Sequence, residues 1–221
     1  MVLHGDPMKA TLHYLYDPLC GWCYGAEPLA KAAESVVGLD FRLHAGALWP
    51  EPTRLPEHMR RYIQQADARI AKISGQPFGD AYLNRLLLDP ALVLESRPVV
   101  AAVLAAQQLD PTKTLPMLRA IQHAHYERGR HVVQEATLVD VAKGVGLDTA
   151  AFASALLSVP VDRHIAESRE FMNNVGAQGF PTFVLEIGDD WFAVPHGRFA
   201  AEPEKFAEWL ERQLKSRAST H

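Results

Sequence analysis

The chain is poor in cysteine, since its 221 residues contain only Cys20 and Cys23. Two cysteines cannot build the disulfide framework that staples small secreted domains. They also fall short of the four Cys or His ligands of a structural zinc site. A chain of this length buries roughly 70–75% of the surface that its unfolded form exposes, so it needs no disulfide for stability. The scarcity of cysteine therefore favours a chemical role for the pair.

The sequence also lacks an excess of positive charge and any long apolar run. It has 22 Lys and Arg against 26 Asp and Glu, a formal net charge of −4, and no basic patch interleaved with aromatic residues. This composition argues against a nucleic-acid binder. No segment approaches the roughly 18 apolar residues of a membrane span. The first nine residues show no basic region followed by an apolar core, so we expect no secretion signal, no membrane partner and a cytoplasmic location.

The two cysteines form a Cys-x-x-Cys motif between a predicted strand and a predicted helix. Residues 11–16 are apolar and strand-like, and residues 24–37 follow the motif with helical spacing. Backbone N–H groups at the start of a helix favour the thiolate, which is the form that attacks disulfides. Without a secretion signal, this arrangement is typical of a thioredoxin-like redox motif. Two inert thiols, a static disulfide or half of a zinc site are the alternatives.

The first elements of the chain predict a βαβ unit. Strand 11–16 is followed by helix 24–37, in which Pro28 should produce a kink. Residues 39–44 alternate apolar and polar side chains, which indicates a second strand. Two strands joined by a helix are expected to pair in parallel.

The pattern changes after the βαβ unit. From about residue 56 to residue 178 it is helical, with no convincing strand. Strand character returns at 182–187, and a Gly-Asp-Asp turn leads into 191–194, which predicts a β-hairpin. A last helix is expected at about 203–214. This order predicts an α/β protein: a thioredoxin fold, βαβ–αββα, with a large all-helical insertion between the second and third strands.

The domain boundaries follow from this order. We expect residues 9–50 and 179–215 to form a discontinuous thioredoxin-like domain, whose second part is preceded by a helix at about 161–178. Residues 51–160 are expected to form the inserted helical domain.

A second motif, Gly179-Phe180-Pro181-Thr182, stands directly before the third predicted strand. Proline lacks a backbone donor and is tolerated at the first position of a strand. Only about 5–6% of X–Pro bonds in folded proteins are cis. The residues alone therefore do not decide the isomer of the Phe180–Pro181 bond.

Together, the segments Tyr16–Gly25 and Gly179–Thr182 resemble the DsbA-like branch of the thioredoxin superfamily. Within that branch the chain is similar to the cytoplasmic bacterial group of predicted protein-disulfide isomerases, near the FrnE-like proteins. The resemblance covers nearly the whole chain, because an all-helical insertion at this place marks the branch. It implies that Cys20 is the nucleophile, Cys23 the resolving cysteine and Pro181 a cis-proline facing the disulfide.

The function that the resemblance implies is thiol–disulfide oxidoreductase or isomerase activity by dithiol–disulfide exchange. The implied partners are protein or peptide disulfides and thiols, with glutathione as a co-substrate. No metal is expected, and no cofactor beyond a redox-active Cys20–Cys23 disulfide. The backbone of Phe180 would pair with an extended substrate by strand addition. The expected substrate-binding residues are Gly21, Trp22, Gly179, Phe180 and Thr182.

Two features depart from the pattern of this family. Thioredoxins and DsbA carry a buried carboxylate six residues before the first cysteine, where this chain has Tyr14. Asp17 and Glu27 are nearer in sequence, but the sequence does not place either beside Cys23. The Gly-Trp dipeptide between the cysteines also supplies no cation. Because redox poise follows thiolate stabilisation, we expect a milder oxidant than DsbA.

Two other functions remain open at the level of the sequence. Kappa-class glutathione transferases and 2-hydroxychromene-2-carboxylate isomerases belong to the same branch and use glutathione on small molecules, but they typically carry serine at the first cysteine position. The intact pair argues against them. The second alternative is a redox sensor or chaperone-like module that binds without turnover.

The remaining candidates are histidines and tryptophans. His123 and His125 could join the cysteines in a zinc site, but residues two apart on a helix do not share a face. We interpret these histidines, and His131, as surface or core residues. We expect Trp22 to be exposed beside the sulfurs and to shape an apolar groove with the helical block. Trp49, Trp191 and Trp209 are expected in the core.

Overall fold

The computed structural model of the chain describes residues 10–218, with side chains as far as residue 216. The first nine residues, on which the expectation of no secretion signal depends, lie outside the described part. They include residue 9, the start of the predicted thioredoxin-like domain. Residues 219–221 also lie outside the described part.

A four-stranded mixed sheet forms the centre of the fold. Its strands are β1 (Ala10–Tyr16), β2 (Leu39–Ala45), β3 (Thr182–Ile187) and β4 (Asp190–Ala193). Their order is β2-β1-β3-β4. β1 pairs in parallel with β2 and antiparallel with β3, and β4 closes the hairpin with β3. The predicted βαβ unit and hairpin are confirmed.

The chain between β1 and β2 forms two helices instead of the single predicted one. Helix α1 covers Gly21–Gly25 and helix α2 covers Glu27–Glu34. The break falls at Ala26, because Pro28 occupies the first turn of α2 and cannot continue a helix begun before it. The helical segment also begins three residues earlier than predicted, so Cys23 lies inside α1.

Six helices follow between β2 and β3, which confirms the helical insertion. They are α3 (Glu57–Ser74), α4 (Ser96–Leu109), α5 (Thr114–Gln122), α6 (Glu135–Val145), α7 (Thr149–Ser158) and α8 (Val161–Asn174). Helix α9 (Pro203–Ala218) ends the described chain. Two short π-helical turns, Tyr82–Leu86 and His123–Glu127, interrupt the regular helices. Asp148 caps α7 as its side chain accepts the Ala151 N–H at 2.8 Å.

Both faces of the central strand are covered. Every residue of β1 is buried, which is typical of a strand between two helical layers. Leu12, Tyr14 and Tyr16 belong to the main core, which also contains residues of α2 and α9. Leu15 points into a smaller cluster with Met172 of α8.

A chain of polar aromatic side chains crosses the other face of the sheet. His13 Nδ1 lies 2.9 Å from His44 Nε2, and His13 Nε2 lies 3.0 Å from Glu186 Oε2. Because a carboxylate only accepts, His13 donates to Glu186, and His44 then donates to His13. Trp191 stacks on His13 at a centroid distance of 5.1 Å but is 46% exposed, so its predicted place in the core is wrong. It lies on the edge strand β4, where one side of the ring meets solvent.

We predict that lowering the pH reduces the free energy of unfolding more in the wild type than in His44→Gln. Burial, followed by the charges of His13, His164 and Arg42, lowers the pKa of His44 to about 3. The unfolded chain binds this proton near pH 6.5. The stability contributed by neutral His44 is therefore complete above that pH and is lost as the pH falls toward 3. Between pH 6.5 and pH 4.5, the free energy of unfolding measured with urea should fall by up to about 2 kcal/mol more in the wild type than in His44→Gln.

Glutamine at position 44 keeps a donor for His13 and does not titrate. His58→Gln is the matched control, because His58 is exposed. An equal pH dependence of the wild type and His44→Gln would contradict this account of the cluster.

Candidate active site

Cys20 stands at the junction where β1 leads into α1. Its backbone is extended, with φ −99° and ψ 115°, and it caps the N-terminus of α1. The backbone N–H of Cys23 donates to Cys20 Sγ at 3.4 Å. Both cysteines are free thiols. The predicted motif thus places the first sulfur at the start of a helix, where an amide N–H points at it.

The turn before Cys20 is held by the carboxylate of Asp17. This side chain is fully buried and accepts the N–H groups of Leu19 and Leu48, each at 2.7 Å. Burial raises the pKa of Asp17, while hydrogen bonds with Ser96, Leu48 and Leu19 act in the opposite direction. The carboxylate therefore connects the cysteine loop with the chain that follows β2.

Phe180 and Pro181 lie opposite the first sulfur. The Phe180–Pro181 peptide bond is cis, as the resemblance implied. The Cys20 thiol donates to the backbone oxygen of Phe180, with an Sγ–O distance of 3.7 Å. Thr182 Oγ1 donates to Gly179 O at 2.7 Å and closes the loop before β3. The structure brings the two sequence motifs into contact.

The aromatic ring of Phe180 is partly buried and packs against the core. Gly46 lies so close that a Cβ atom there would overlap the ring. The guanidinium of Arg169 lies over the ring, 5.3 Å from its centroid, and donates to Ala47 O at 2.6 Å. The backbone of Phe180 therefore faces the sulfur while its side chain fixes the loop. Nothing in the local sequence around Gly46 or Arg169 signals this role.

Cys23 is the more protected cysteine of the pair. It is fully buried, whereas Cys20 is 5% exposed. Burial, followed by the hydrogen bond with Cys20 and the charge of Cys20, raises the pKa of the Cys23 thiol well above its usual range. A hydrogen bond with the Asp17 backbone opposes this shift and the charge of Asp17 adds to it, so Asp17 lies within electrostatic reach of Cys23. Tyr14 instead donates its hydroxyl to Cys23 O at 3.2 Å.

Glu27, the other carboxylate near the cysteines in sequence, is engaged elsewhere. It is 5% exposed and forms an ion pair with Arg119 of α5. Gln76 Nε2 donates to its second oxygen at 3.0 Å. These contacts give Glu27 a role in joining α2 to the insertion.

Trp22 is 44% exposed and lines two cavities. The first, which we call the Cys20 cavity, has a volume of about 320 Å³ and opens beside Cys20 and Gly21. The second has about 270 Å³ and is lined by Pro181. Gly179 and Thr182, which the resemblance implies as substrate-binding residues, are not among the described residues that line these two cavities.

The insertion supplies most of the Cys20 cavity. Asp67 and Ile70 of α3 lie directly over α1, and a Cβ atom at Gly21 would overlap Asp67 Oδ1. The first π-helical turn contributes Tyr82 to the lining of this cavity, and the second contributes His125 and Tyr126. His125, weighed from the sequence as a zinc ligand and interpreted as a surface or core residue, is buried in the structure. Burial lowers its pKa to about 4, so it is neutral at pH 7.

Residues 10–218 contain neither a cluster of metal-ligating side chains nor a membrane-spanning helix. No group of three or more His, Cys, Asp or Glu side chains is arranged to hold a metal ion. No helix in the same part of the chain is long and apolar enough to span a bilayer.

Comparison with solved structures gives close neighbours over nearly the whole chain. The cytosolic disulfide reductase DsbM from Pseudomonas aeruginosa is 45% identical, with 93% of this chain and 98% of that chain covered and a TM-score of 0.86. The structure of DsbM with GSH superimposes with a TM-score of 0.84. A protein from Nitrosomonas europaea, 24% identical with 95% and 98% of the chains covered, reaches a TM-score of 0.80, which shows the shared fold.

Among curated proteins, the ClpXP adapter protein SpxH of Bacillus subtilis (strain 168) is 27% identical over 159 residues. The match covers 70% of this chain and 51% of SpxH, so the chain spans about half the length of this relative.

The family comparison agrees with the fold and with the cysteine pair. Residues 11–202 match the model of the DSBA-like thioredoxin domain. These residues include both motifs, the four strands except for Ala10, and the entire helical insertion. The chain belongs to the DSBA-like thioredoxin domain family of thiol–disulfide oxidoreductases.

Proposed function

We propose that the protein reduces and exchanges disulfides through Cys20 and Cys23, with glutathione as its thiol partner. The observation that carries the proposal is the position of Cys20 Sγ. It lies between the N–H of Cys23 at 3.4 Å and the backbone oxygen of Phe180 at 3.7 Å. One contact supplies a donor to the sulfur, and the other marks where an extended substrate would pair with the cis-proline loop.

In the first step, the Cys20 thiolate attacks one sulfur of the substrate disulfide. A bond forms between Cys20 and that sulfur, the substrate S–S bond breaks, and the second sulfur leaves with the electron pair and takes up a proton. Cys20 is suited to this step because it lines an open cavity, whereas Cys23 is fully buried.

In the second step, Cys23 loses its proton and attacks Cys20 Sγ. The Cys20–Cys23 disulfide forms and the first substrate sulfur leaves as a thiol after protonation. Burial keeps the Cys23 thiol protonated until a mixed disulfide forms, because it raises the pKa of that thiol. Two glutathione thiols then return the pair to the reduced state, and glutathione disulfide is released.

The direction of reaction and the choice of partner are inferred from the neighbours. DsbM, at 45% identity, is a cytosolic disulfide reductase, and one of its structures contains GSH. We infer the same reducing direction, the same class of thiol partner and a cytoplasmic location for this chain. Protein or peptide disulfides are the proposed substrates beside small disulfides.

We predict that Cys20→Ser abolishes disulfide reduction and that Cys23→Ser stops at a mixed disulfide. Cys20 acquires a glutathionyl group from glutathione disulfide. Without the Cys23 thiol, no group within the protein displaces it. Intact-mass spectrometry should therefore find one glutathionyl group on Cys23→Ser and none on Cys20→Ser. The rates at which each variant reduces insulin and glutathione disulfide measure its reductase activity.

The double variant Cys20→Ser, Cys23→Ser is the control, and it should carry no glutathionyl group. Full turnover by Cys20→Ser would overturn the proposal. Binding of unfolded protein by the double variant, with no reductase activity in the wild type, would favour a chaperone-like module instead.

We also predict a reduction potential between about −270 and −200 mV, nearer to thioredoxin and glutaredoxins than to DsbA. The reason is that no Lys or Arg is among the described residues lining the Cys20 cavity, and the Gly-Trp dipeptide adds no cation. Equilibration in glutathione buffers, followed by tryptophan fluorescence, measures the value. A potential near −120 mV would contradict this prediction.

Trp22→His provides a directional test of the same argument. A cation between the cysteines should stabilise the thiolate and shift the potential by about 30 mV toward oxidising values, which corresponds to about 1.4 kcal/mol. Trp22→Gln is the matched control, because it is polar but uncharged.

A further inference from the structure

Asp67 is a buried acid that the exchange steps described above do not use. It is 3% exposed, and the hydroxyl of Tyr82 donates to its Oδ2 at 2.7 Å. None of the ion pairs described between residues 10 and 218 includes Asp67. A buried carboxylate without a cation is costly and tends to hold a proton. Burial accordingly raises the pKa of Asp67 to about 7, against the opposing hydrogen bond from Tyr82.

The carboxyl group of Asp67 lies beside the residue that follows the nucleophile. Asp67 Oδ1 occupies the space that a side chain at Gly21 would fill, and Gly21 directly follows Cys20. Asp67 and Cys20 line the same cavity. Burial raises the pKa of Tyr126, and the charges of Tyr82, Asp67 and Cys20 add to this shift. Tyr126 lines this cavity together with the acid and the sulfur.

The groups facing Asp67 leave its charge unbalanced. Tyr82 and the pair His125 and Tyr126 come from the two π-helical turns, and Cys20 faces it from the start of α1. Burial lowers the pKa of His125 and raises those of Tyr82 and Tyr126, so all three are neutral at pH 7. No Lys or Arg is among the lining residues of the cavity that the structure describes.

The shape of the cavity suits one half of a disulfide substrate. Its volume of about 320 Å³ is enclosed mainly by apolar and aromatic side chains, with Cys20 and Asp67 among its few polar groups. The cis-proline loop lies on the other side of Trp22, since Pro181 lines the second cavity. Trp22 thus lines two separate spaces, of which the first contains Cys20 and the second contains Pro181.

We propose that the Cys20 cavity receives the leaving half of the substrate disulfide and that Asp67 protonates the departing sulfur. This inference rests on the proposed disulfide exchange. Cys20 forms a bond to the first substrate sulfur, the S–S bond breaks, and the electron pair stays on the second sulfur. That sulfur takes the proton of the Asp67 carboxyl group and leaves as a thiol. The Asp67 carboxylate then regains a proton from water at the mouth of the cavity.

The test compares two disulfides whose leaving thiols need a proton to different degrees. Glutathione disulfide releases an ordinary aliphatic thiol, which is mainly protonated at neutral pH. Dithiobis-nitrobenzoate releases an aromatic thiol that is stable as the thiolate and leaves without help. Single-turnover reduction by the dithiol form should be slowed about 100-fold in Asp67→Asn with glutathione disulfide. With dithiobis-nitrobenzoate the rate should stay within about threefold of the wild type.

The pH profile with glutathione disulfide provides a second readout. In the wild type the rate should show a descending limb at higher pH, as Asp67 loses its proton. Asp67→Asn should lose the descending limb, and Asp67→Glu, which keeps an acid, should retain it. Asp80→Asn is the matched control, because Asp80 is exposed and does not line the cavity. Both of its rates should equal those of the wild type.

Equal slowing of both disulfides in Asp67→Asn, or slowing of neither, would overturn the role of Asp67 and leave the proposed function intact. A wild-type protein that reduces neither disulfide would instead overturn the proposed function, and this inference with it. Asparagine still accepts the Tyr82 hydrogen bond, and Asp67→Glu keeps the test decisive if Asp67→Asn melts at a lower temperature.

Discussion

The two hydrogen bonds accepted by the buried carboxylate of Asp17 set the geometry of the site. They tie Leu19, directly before the first cysteine, to Leu48, beyond the end of β2. Since this carboxylate is fully buried, losing either donor would leave a polar atom unsatisfied in the core, at a cost of about 1–3 kcal/mol. The segment after β2 also supports the ring of Phe180, whose backbone oxygen faces Cys20. One side chain thus aligns Cys20 with the loop opposite it.

The insertion completes the site from the other side. Its helix α3 comes close to α1 because Gly21 and Gly25, one turn apart, carry no side chains in the contact. Ile70 packs against this glycine pair and Asp67 reaches the start of the helix. The ion pair of Glu27 with Arg119 joins α2 to α5, so the insertion is anchored at two places. A thioredoxin fold without these helices would present the same sulfur on an open surface.

The sequence predicts what local patterns encode and misses what only packing creates. Apolar alternation and turn residues located the strands because each signal lies within a few residues. The close spacing of Cys20 and Cys23 likewise predicts a reactive pair, and the structure places the two residues together at the start of α1. Trp191 was misplaced because its size predicts burial, whereas its edge strand leaves it half in solvent. Asp67 carries no local signal, since its neighbours in the cavity come from π-helical turns that a period of 3.6 residues does not reveal.

Tyr14 stands where thioredoxins and DsbA carry a buried carboxylate, so the acidic groups near the cysteines lie elsewhere, in two separate places. Burial and the nearby cysteines raise the pKa of Tyr14 well above its usual range, so its hydroxyl keeps its proton and serves as a hydrogen-bond donor to Cys23 O. The carboxylates that remain near the pair are Asp17, enclosed beneath the loop, and Asp67, at the cavity. The enclosed acid acts on the buried sulfur through its charge, whereas the acid at the cavity is the one that the proposed mechanism brings to the substrate. The insertion therefore adds chemistry as well as shape to the thioredoxin fold.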